Sequence, residues 1–183
     1  MEQRNRIYQN ISEPVGQSPL VKLRGITKEV KGNDFSKLEF FYSSHSQKDK
    51  IALHIIENAE RKGVLKKGTA LEEMTLENTG VSSAMIALLK GYQYVLTISD
   101  SASQNTINLL LAMGAEVLLC RVEVALEDPK PYEEVFKTFP NSVSVNPYLN
   151  TLNSEARYKI SGPEIWGQIM GIIDSDIQRI VLN

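Results

Sequence analysis

The sequence holds a single cysteine, and this scarcity excludes two classes of protein. One thiol, Cys120, forms no internal disulfide and cannot supply the several thiolates of a cysteine-rich zinc site. Chains without disulfides are typical of reducing compartments, so we expect a cytoplasmic protein. The two histidines, His45 and His54, are not spaced as a metal-binding pair, so we expect no metal site.

Long apolar runs and an excess of basic charge are also missing. No run approaches the roughly 20 apolar residues that a membrane helix requires, and no apolar signal segment follows the polar N-terminus. The 20 Lys and Arg residues against 22 Asp and Glu residues give a formal net charge of −2, which provides no basic field for nucleic acid. We therefore expect neither a membrane nor a nucleic acid as partner.

Strand-like and helix-like segments alternate along the 183 residues, which are enough for one sizeable core. Hydrophobic spacing predicts strands at 19–24, 36–41, 92–98, 115–120, 142–146 and 180–182, and helices at 48–62, 79–90, 103–113, 131–138 and 154–170. Glycines follow three of these helices, at Gly63, Gly91 and Gly114, as C-terminal stop signals. The alternation predicts an α/β fold with open, largely parallel sheets and helices on both faces.

Three polar segments lie where a parallel sheet would place a binding site. They are Ser46–Lys50, Thr75–Gly80 and Ser161–Trp166, and we expect polar loops there at the carboxyl ends of strands. Lys48 in the first segment starts a predicted helix, whose N-terminal potential favours a neutral amine, the form that a Schiff-base lysine needs. Because a lysine in such a place is more often a solvated surface charge, the spacing alone leaves both roles open.

A series of short motifs resembles a known enzyme family in its order and spacing. From about residue 12 to the C-terminus the series comprises Gly16–Val21, Lys37–Phe41, Ser46–Ala52, Glu60–Gly68, Asn78–Gly80, Lys90–Tyr92, Gly114–Val117 and Gly162–Trp166. It resembles the first half of the cysteine synthase and cystathionine β-synthase family, which are fold type II pyridoxal-phosphate enzymes. The resemblance implies a tryptophan synthase β-like fold, with a complete small domain at 45–150 and an incomplete large domain formed by 1–44 and 151–183.

The same resemblance implies roles for individual residues. Lys48 matches the lysine of the family's S-x-K-D-R motif, which binds pyridoxal phosphate covalently. Asn78 matches the asparagine of the T-S-G-N-T-G loop, which bonds to the ring hydroxyl of the cofactor. Thr75 and Thr79 match residues of that loop that bind the carboxylate of the substrate, a small amino acid. The family's reaction replaces the β-substituent of serine or an activated serine, with the cofactor as electron sink.

Two positions depart from the family's pattern inside the carboxylate loop. The family's Ser-Gly pair reads Leu76-Glu77 here, which removes a hydroxyl donor and adds a negative charge. A carboxylate about 4 Å from the substrate carboxylate repels it by ~4 kcal/mol at an effective dielectric constant of about 20. That repulsion corresponds to roughly a thousandfold loss of binding.

Other departures concern the cofactor and the rest of the substrate site. Tyr42–His45 stands where the family has an Asn-Pro-x-Gly turn, and Pro147 where it has a substrate-binding glutamine. The family's glycine-rich phosphate loop would follow the strand at 180–182, where this sequence ends, so we expect the cofactor phosphate to lack its usual backbone donors.

These departures favour an inactive relative of the enzymes of cysteine and transsulfuration metabolism. Two alternatives stay open: a cofactor-free module that docks on a full-length homologue, and an active cysteine synthase-like enzyme. The helix at 103–113 carries more apolar residues than one buried stripe needs, namely Ile107, Leu109, Leu110, Leu111 and Met113. We therefore expect low solubility or a partner that covers this face, either a second copy or a full-length homologue.

Overall fold

The computed structural model describes residues 7–25, 27–29, 31–75, 78–120, 137–145, 150–170 and 177–182. The strands are β1 (Leu20–Lys22), β2 (Asn33–Lys37), β3 (Ala70–Thr75), β4 (Gln93–Ser99), β5 (Glu116–Cys120), β6 (Ser142–Ser144) and β7 (Ile177–Leu182). The α-helices are α1 (Lys48–Arg61), α2 (Asn78–Leu89), α3 (Gln104–Met113), α4 (Leu152–Ala156) and α5 (Gly162–Ile169). A 3₁₀ turn covers Glu39–Phe41, and a π-helix covers Arg157–Ser161. Most of the helix predicted at 131–138 lies outside the described residues.

These strands form two sheets. The larger sheet has the order β5-β4-β3-β6, and all of its pairs are parallel. The smaller sheet has the order β1-β2-β7, in which β2 runs antiparallel to β1 and parallel to β7. The predicted α/β class with largely parallel sheets is confirmed, and β1 is the antiparallel exception. The domain boundaries at residues 44 and 150 stay a prediction.

The main core lies around the larger sheet. β4 buries every residue except Gln93, as a parallel strand covered on both faces does. Helix α1 contributes Ile51, Ile55 and Ile56 to this core, and α2 packs against α1. Ser44, shortly before α1, lies 2.7 Å from Ser82 Oγ on α2, so the start of α1 lies beside the first half of α2.

The strand predicted at 36–41 is wrong in its second half. β2 starts earlier, at Asn33, and ends at Lys37, while Glu39–Phe41 turns as a 3₁₀ helix. The turn brings the Glu39 carboxylate inside, where Ser18 Oγ donates a 3.0 Å hydrogen bond to it. The 3₁₀ turn thus goes together with a buried hydrogen bond between Ser18 and Glu39, which a pattern of alternating hydrophobic residues cannot predict.

The helix predicted at 154–170 is present but is not uniform, because a π-helix separates α4 from α5. Pro163 lies in the first turn of α5 and has no N–H to donate to the preceding turn, which favours a local change of hydrogen-bond pattern. The polar segment Ser161–Trp166 is helical, in agreement with the helix predicted at 154–170.

Several apolar side chains are exposed on α3 and β5. Leu110 is buried, but Leu109 and Leu111 on the same helix are 45% and 53% exposed, and Leu119 on β5 is 57% exposed. In the part of the chain that the structure describes, no helix has the length and apolar character to cross a bilayer.

Candidate active site

Lys48 is the first residue of α1, as the sequence predicts. Its backbone N–H donates a 3.2 Å hydrogen bond to Ser46 Oγ, which fixes the start of the helix. Gln47, the residue before it, accepts a 2.8 Å hydrogen bond at Oε1 from the Arg157 guanidinium in the π-helix. The Lys48 side chain is half-buried, and its ammonium has no hydrogen-bond partner among the described residues. The amine is therefore available to a ligand, on a backbone that neighbouring residues hold in place.

Asp49, the next residue, ties the helix start to the loop before it and to α2. Its side chain is wholly buried, and its Oδ2 accepts a 3.1 Å hydrogen bond from the Ser44 backbone N–H. The Ser44 hydroxyl contacts the other oxygen of Asp49 and lies 2.7 Å from Ser82 Oγ on α2. This chain of contacts replaces the Asn-Pro-x-Gly turn that the resemblance leads us to expect at Tyr42–His45.

Lys50 enters a buried cluster of charges that joins distant segments. Its Nζ donates to Glu164 Oε2 on α5 at 2.6 Å and to Glu39 Oε1 at 3.1 Å. Lys37 on β2 pairs with the other oxygen of Glu164 and donates to the Ser18 carbonyl. The side chains of Lys37 and Lys50 are only 0% and 2% exposed, and two lysines facing two carboxylates keep the interior balanced in charge.

The two lysines of this cluster titrate in opposite directions. Burial lowers the pKa of Lys37, and its contact with Glu164 does not compensate for that burial. Burial also acts to lower the pKa of Lys50, but the Glu164 carboxylate and Tyr42 outweigh it and raise that pKa overall. Lys50 therefore stays a cation at neutral pH and holds α1 to α5 by charge.

The carboxylate loop predicted at Thr75–Gly80 joins β3 to α2. Thr75 is the last residue of β3, at the carboxyl edge of the larger sheet, and Asn78 is the first residue of α2. Thr79, in the first turn of α2, is 3% exposed. Helix α2, which begins at Asn78, packs against α1, and the roles of Lys48, Asn78, Thr75 and Thr79 stay predictions.

A buried carboxyl group on β3, Glu73, escaped the sequence analysis. Its Oε2 accepts a 2.8 Å hydrogen bond from Tyr94 Oη on β4. Burial raises the pKa of Glu73 to about 7, and the Ser83 hydroxyl, the Tyr94 hydroxyl and the Lys48 charge act to lower it. Two adjacent glutamates inside an otherwise apolar strand, Glu72 and Glu73, are the signal that could have revealed it.

Comparisons with known proteins agree with this architecture. The family described as "Pyridoxal-phosphate dependent enzyme" matches residues 11–182. The chain belongs to this family. It is 35% identical to cysteine synthase 1 of Emericella nidulans, over 90% of this chain and 45% of that protein. It is also 35% identical to cystathionine β-synthase of Apis mellifera, over 92% of this chain and 35% of that protein.

Solved structures show the same likeness. A hydrogen sulfide-producing enzyme from Fusobacterium nucleatum superposes with a TM-score of 0.83 at 32% identity, over 91% of this chain and 54% of that one. The chain therefore spans about half the length of the family members that it matches, or less.

The residues around Lys48 fit the attachment of the family's cofactor. The Lys48 amine has no hydrogen-bond partner among the described residues, whereas the neighbouring residues at the start of α1 are all bonded. An amine in this setting suits covalent attachment of an aldehyde. Within the described ranges, no three His, Cys, Asp or Glu side chains are grouped as metal ligands would be.

Proposed function

We propose that this chain is a member of the pyridoxal-phosphate family that keeps the cofactor lysine, Lys48, and has lost β-replacement on serine-type substrates. The observation that carries the loss is the sequence Leu76-Glu77 between β3 and α2. Pyridoxal phosphate, when bound, supplies the electron sink that this chemistry requires.

Lys48 would hold the cofactor, because its amine has no hydrogen-bond partner in the part of the chain that the structure describes and its backbone is fixed. Ser46 orients the first turn of α1, and Gln47 fastens that turn to the π-helix. Asp49 fastens it to Ser44, which in turn contacts Ser82 on α2. Asn78 matches the family's asparagine that bonds to the ring hydroxyl of the cofactor, and we propose the same role for it. These residues orient a cofactor, and none of them compensates for a change in the carboxylate loop.

Glu77 opposes the substrate. Thr75 and Thr79 would offer hydroxyl donors to a carboxylate, but Glu77 between them carries a negative charge. Two carboxylates about 4 Å apart repel by ~4 kcal/mol at an effective dielectric constant of about 20. That repulsion exceeds the roughly 1.5–3 kcal/mol that one hydrogen bond to a charged group contributes. We therefore propose that an amino acid with a free carboxylate binds too weakly for turnover.

Binding measurements on the cofactor-treated chain test this proposal. By equilibrium dialysis we expect serine to bind the unmodified chain roughly a thousandfold more weakly than it binds Glu77→Gly. Glu77→Gln separates charge from backbone freedom, because it keeps the size of the side chain and removes the charge. Turnover of serine with sulfide or homocysteine by the unmodified chain would contradict the proposal.

A second candidate function is docking on a protein partner. The 3₁₀ turn, α5 and the residue that follows α5 expose large apolar side chains: Phe41 is 62% exposed, Trp166 62% and Met170 53%. Exposed aromatic residues of this kind are typical of protein interfaces. The partner we propose is a full-length homologue, and gel filtration of the mixture would show co-elution.

A further inference from the structure

A cleft opens at the amino edge of the larger sheet, between the loop that joins α1 to β3 and the turn before β6. Its volume is about 430 Å³, which is within the roughly 300–1,000 Å³ of small-molecule sites. Ala70 on β3 pairs with Ser142 on β6, so both walls of the cleft begin at neighbouring positions of one sheet. Because a parallel strand rises about 3.3 Å per residue, Ala70 lies roughly 17 Å from Thr75 at the other end of β3. The cleft is therefore separate from the candidate active site.

Hydrogen bonds hold the loop that forms the first wall of the cleft. The Thr69 N–H donates to the Lys66 carbonyl oxygen at 2.9 Å, and the Lys66 N–H donates to Thr69 Oγ1 at 3.2 Å. Gly68 between them has a φ of 87°, a left-handed value that glycine adopts without strain. Leu65, which precedes the turn, is 3% exposed and anchors the loop in the main core. This wall is therefore formed before any ligand arrives.

The charged side chains of this wall are both cations. Lys66 and Lys67 line the cleft and are exposed, and no acidic residue is part of the lining among the described residues. Neither lysine forms an ion pair with a carboxylate within the described ranges. The chain as a whole has a net charge of −2, so this is a local concentration of positive charge. Two adjacent ammonium groups, beside the Thr69 hydroxyl and the Asn141 amide, suit an anion with several acceptor oxygens, such as a phosphate group.

The second wall of the cleft carries a hydroxyl group with a buried carboxyl group behind it. Ser142 lines the cleft, and its Oγ donates a 3.4 Å hydrogen bond to Glu72 Oε2. Glu72 is 2% exposed, and its Oε1 has no hydrogen-bond partner in the part of the chain that the structure describes. A buried carboxyl group with so few partners holds the hydroxyl hydrogen of Ser142, which leaves the lone pairs of Ser142 Oγ for a donor in the cleft. This wall therefore favours a ligand hydroxyl and disfavours a second anionic group.

We propose that the cleft is a binding site for a small phosphomonoester that also carries hydroxyl groups. Lys66 and Lys67 bind the phosphate, and Ser142 Oγ accepts a hydrogen bond from a hydroxyl group at the other end of the ligand. The inference goes beyond the proposed function and does not depend on it, because neither Lys48 nor the loop at 75–80 takes part.

Isothermal titration calorimetry of the purified chain with glycerol 3-phosphate tests the site. The probe has no aldehyde group, so it cannot react with a lysine. We expect saturable binding, and an affinity at least about tenfold lower when Lys66→Met and Lys67→Met are combined. The matched control combines Lys22→Met with Lys28→Met, which removes the same charge from exposed positions outside the cleft and leaves the affinity unchanged. No binding at millimolar concentration, or an equal loss in both double variants, overturns the proposal.

Two further measurements test the class of ligand and the location of the site. Ser142→Ala should weaken glycerol 3-phosphate several-fold and leave the affinity for inorganic phosphate unchanged, while Ser144→Ala, exposed on the same strand, changes neither. Equal affinities of the unmodified chain for the two probes overturn the proposed class of ligand. In NMR spectra, the backbone amide signals of Gly68, Thr69 and Ser142 should shift when glycerol 3-phosphate is added. Shifts that centre on the start of α1 instead overturn the proposed location.

Discussion

At the scale of single residues, Lys48, Asp49 and Lys50 are neighbours in sequence but differ in burial and in hydrogen bonding. Asp49 and Lys50 are buried and bonded, whereas Lys48 before them is half-buried and its amine contacts no hydrogen-bond partner within the described ranges. The alternating charges of Lys48–Lys50 are also compatible with a solvated helix face. In the structure, Asp49 and Lys50 are instead buried, and each bonds to another segment of the chain. The motif predicts Lys48 as the cofactor lysine. The sequence could not show that hydrogen bonds hold the surrounding side chains in place.

Glu73 makes stability depend on pH in a definite direction. Its pKa of about 7 in the folded chain exceeds its ordinary value of 4.5, so the folded state retains a proton that the unfolded state has released. Stability therefore falls as pH rises from about 4.5 to about 7 and is then level, by up to about 3 kcal/mol from this group.

Urea unfolding of the unmodified chain and of Glu73→Gln, near pH 5 and near pH 8, measures this dependence. We expect the unmodified chain to lose stability relative to the variant between the two conditions. A constant difference between them would contradict the buried, protonated state of Glu73.

At the scale of elements, the charge cluster fastens α1 to α5 and to β2. Glu164→Gln leaves two buried lysines facing one carboxylate, so we expect a loss of about 3–5 kcal/mol in the free energy of unfolding. Glu57→Gln is the control, because the Glu57 side chain is 51% exposed and lies 3.8 Å from Lys90. Exposed pairs contribute about 1 kcal/mol or less, so chemical denaturation should show little change there. Equal effects of both variants would contradict the importance of the buried cluster.

The elements also show what the sequence could predict. Helices that end at glycine were well placed, since Gly114 has a φ of 95° and ends α3 as expected. The 3₁₀ turn at Glu39–Phe41 and the π-helix at Arg157–Ser161 were not predictable from hydrophobic spacing. The 3₁₀ turn accompanies a tertiary contact, because Glu39 bonds to Lys50. The π-helix precedes Pro163, whose missing N–H changes the hydrogen-bond pattern without changing the hydrophobic spacing.

At the scale of the whole molecule, the order of the motifs predicts the fold class and the family. It does not predict which protein partner the chain binds. Trp166 is the single tryptophan and is 62% exposed on α5. If a full-length homologue covers this face, the fluorescence emission of Trp166 should shift to shorter wavelength on mixing, because its indole ring is removed from water. The homologue is used as a variant in which every tryptophan is substituted, so that all tryptophan emission comes from Trp166. Unchanged emission at saturating partner would contradict docking through α5.

The claim on which the account depends most is that Lys48 attaches the cofactor while the chain leaves serine unreacted. The most direct measurement is the visible absorbance of the purified chain with pyridoxal phosphate, before and after addition of serine and sulfide. We predict a band of covalently bound cofactor that is present in Lys62→Ala, absent in Lys48→Ala, and unchanged by the substrates. A band that survives Lys48→Ala, or one that changes with serine and is followed by cysteine formation, would contradict the account.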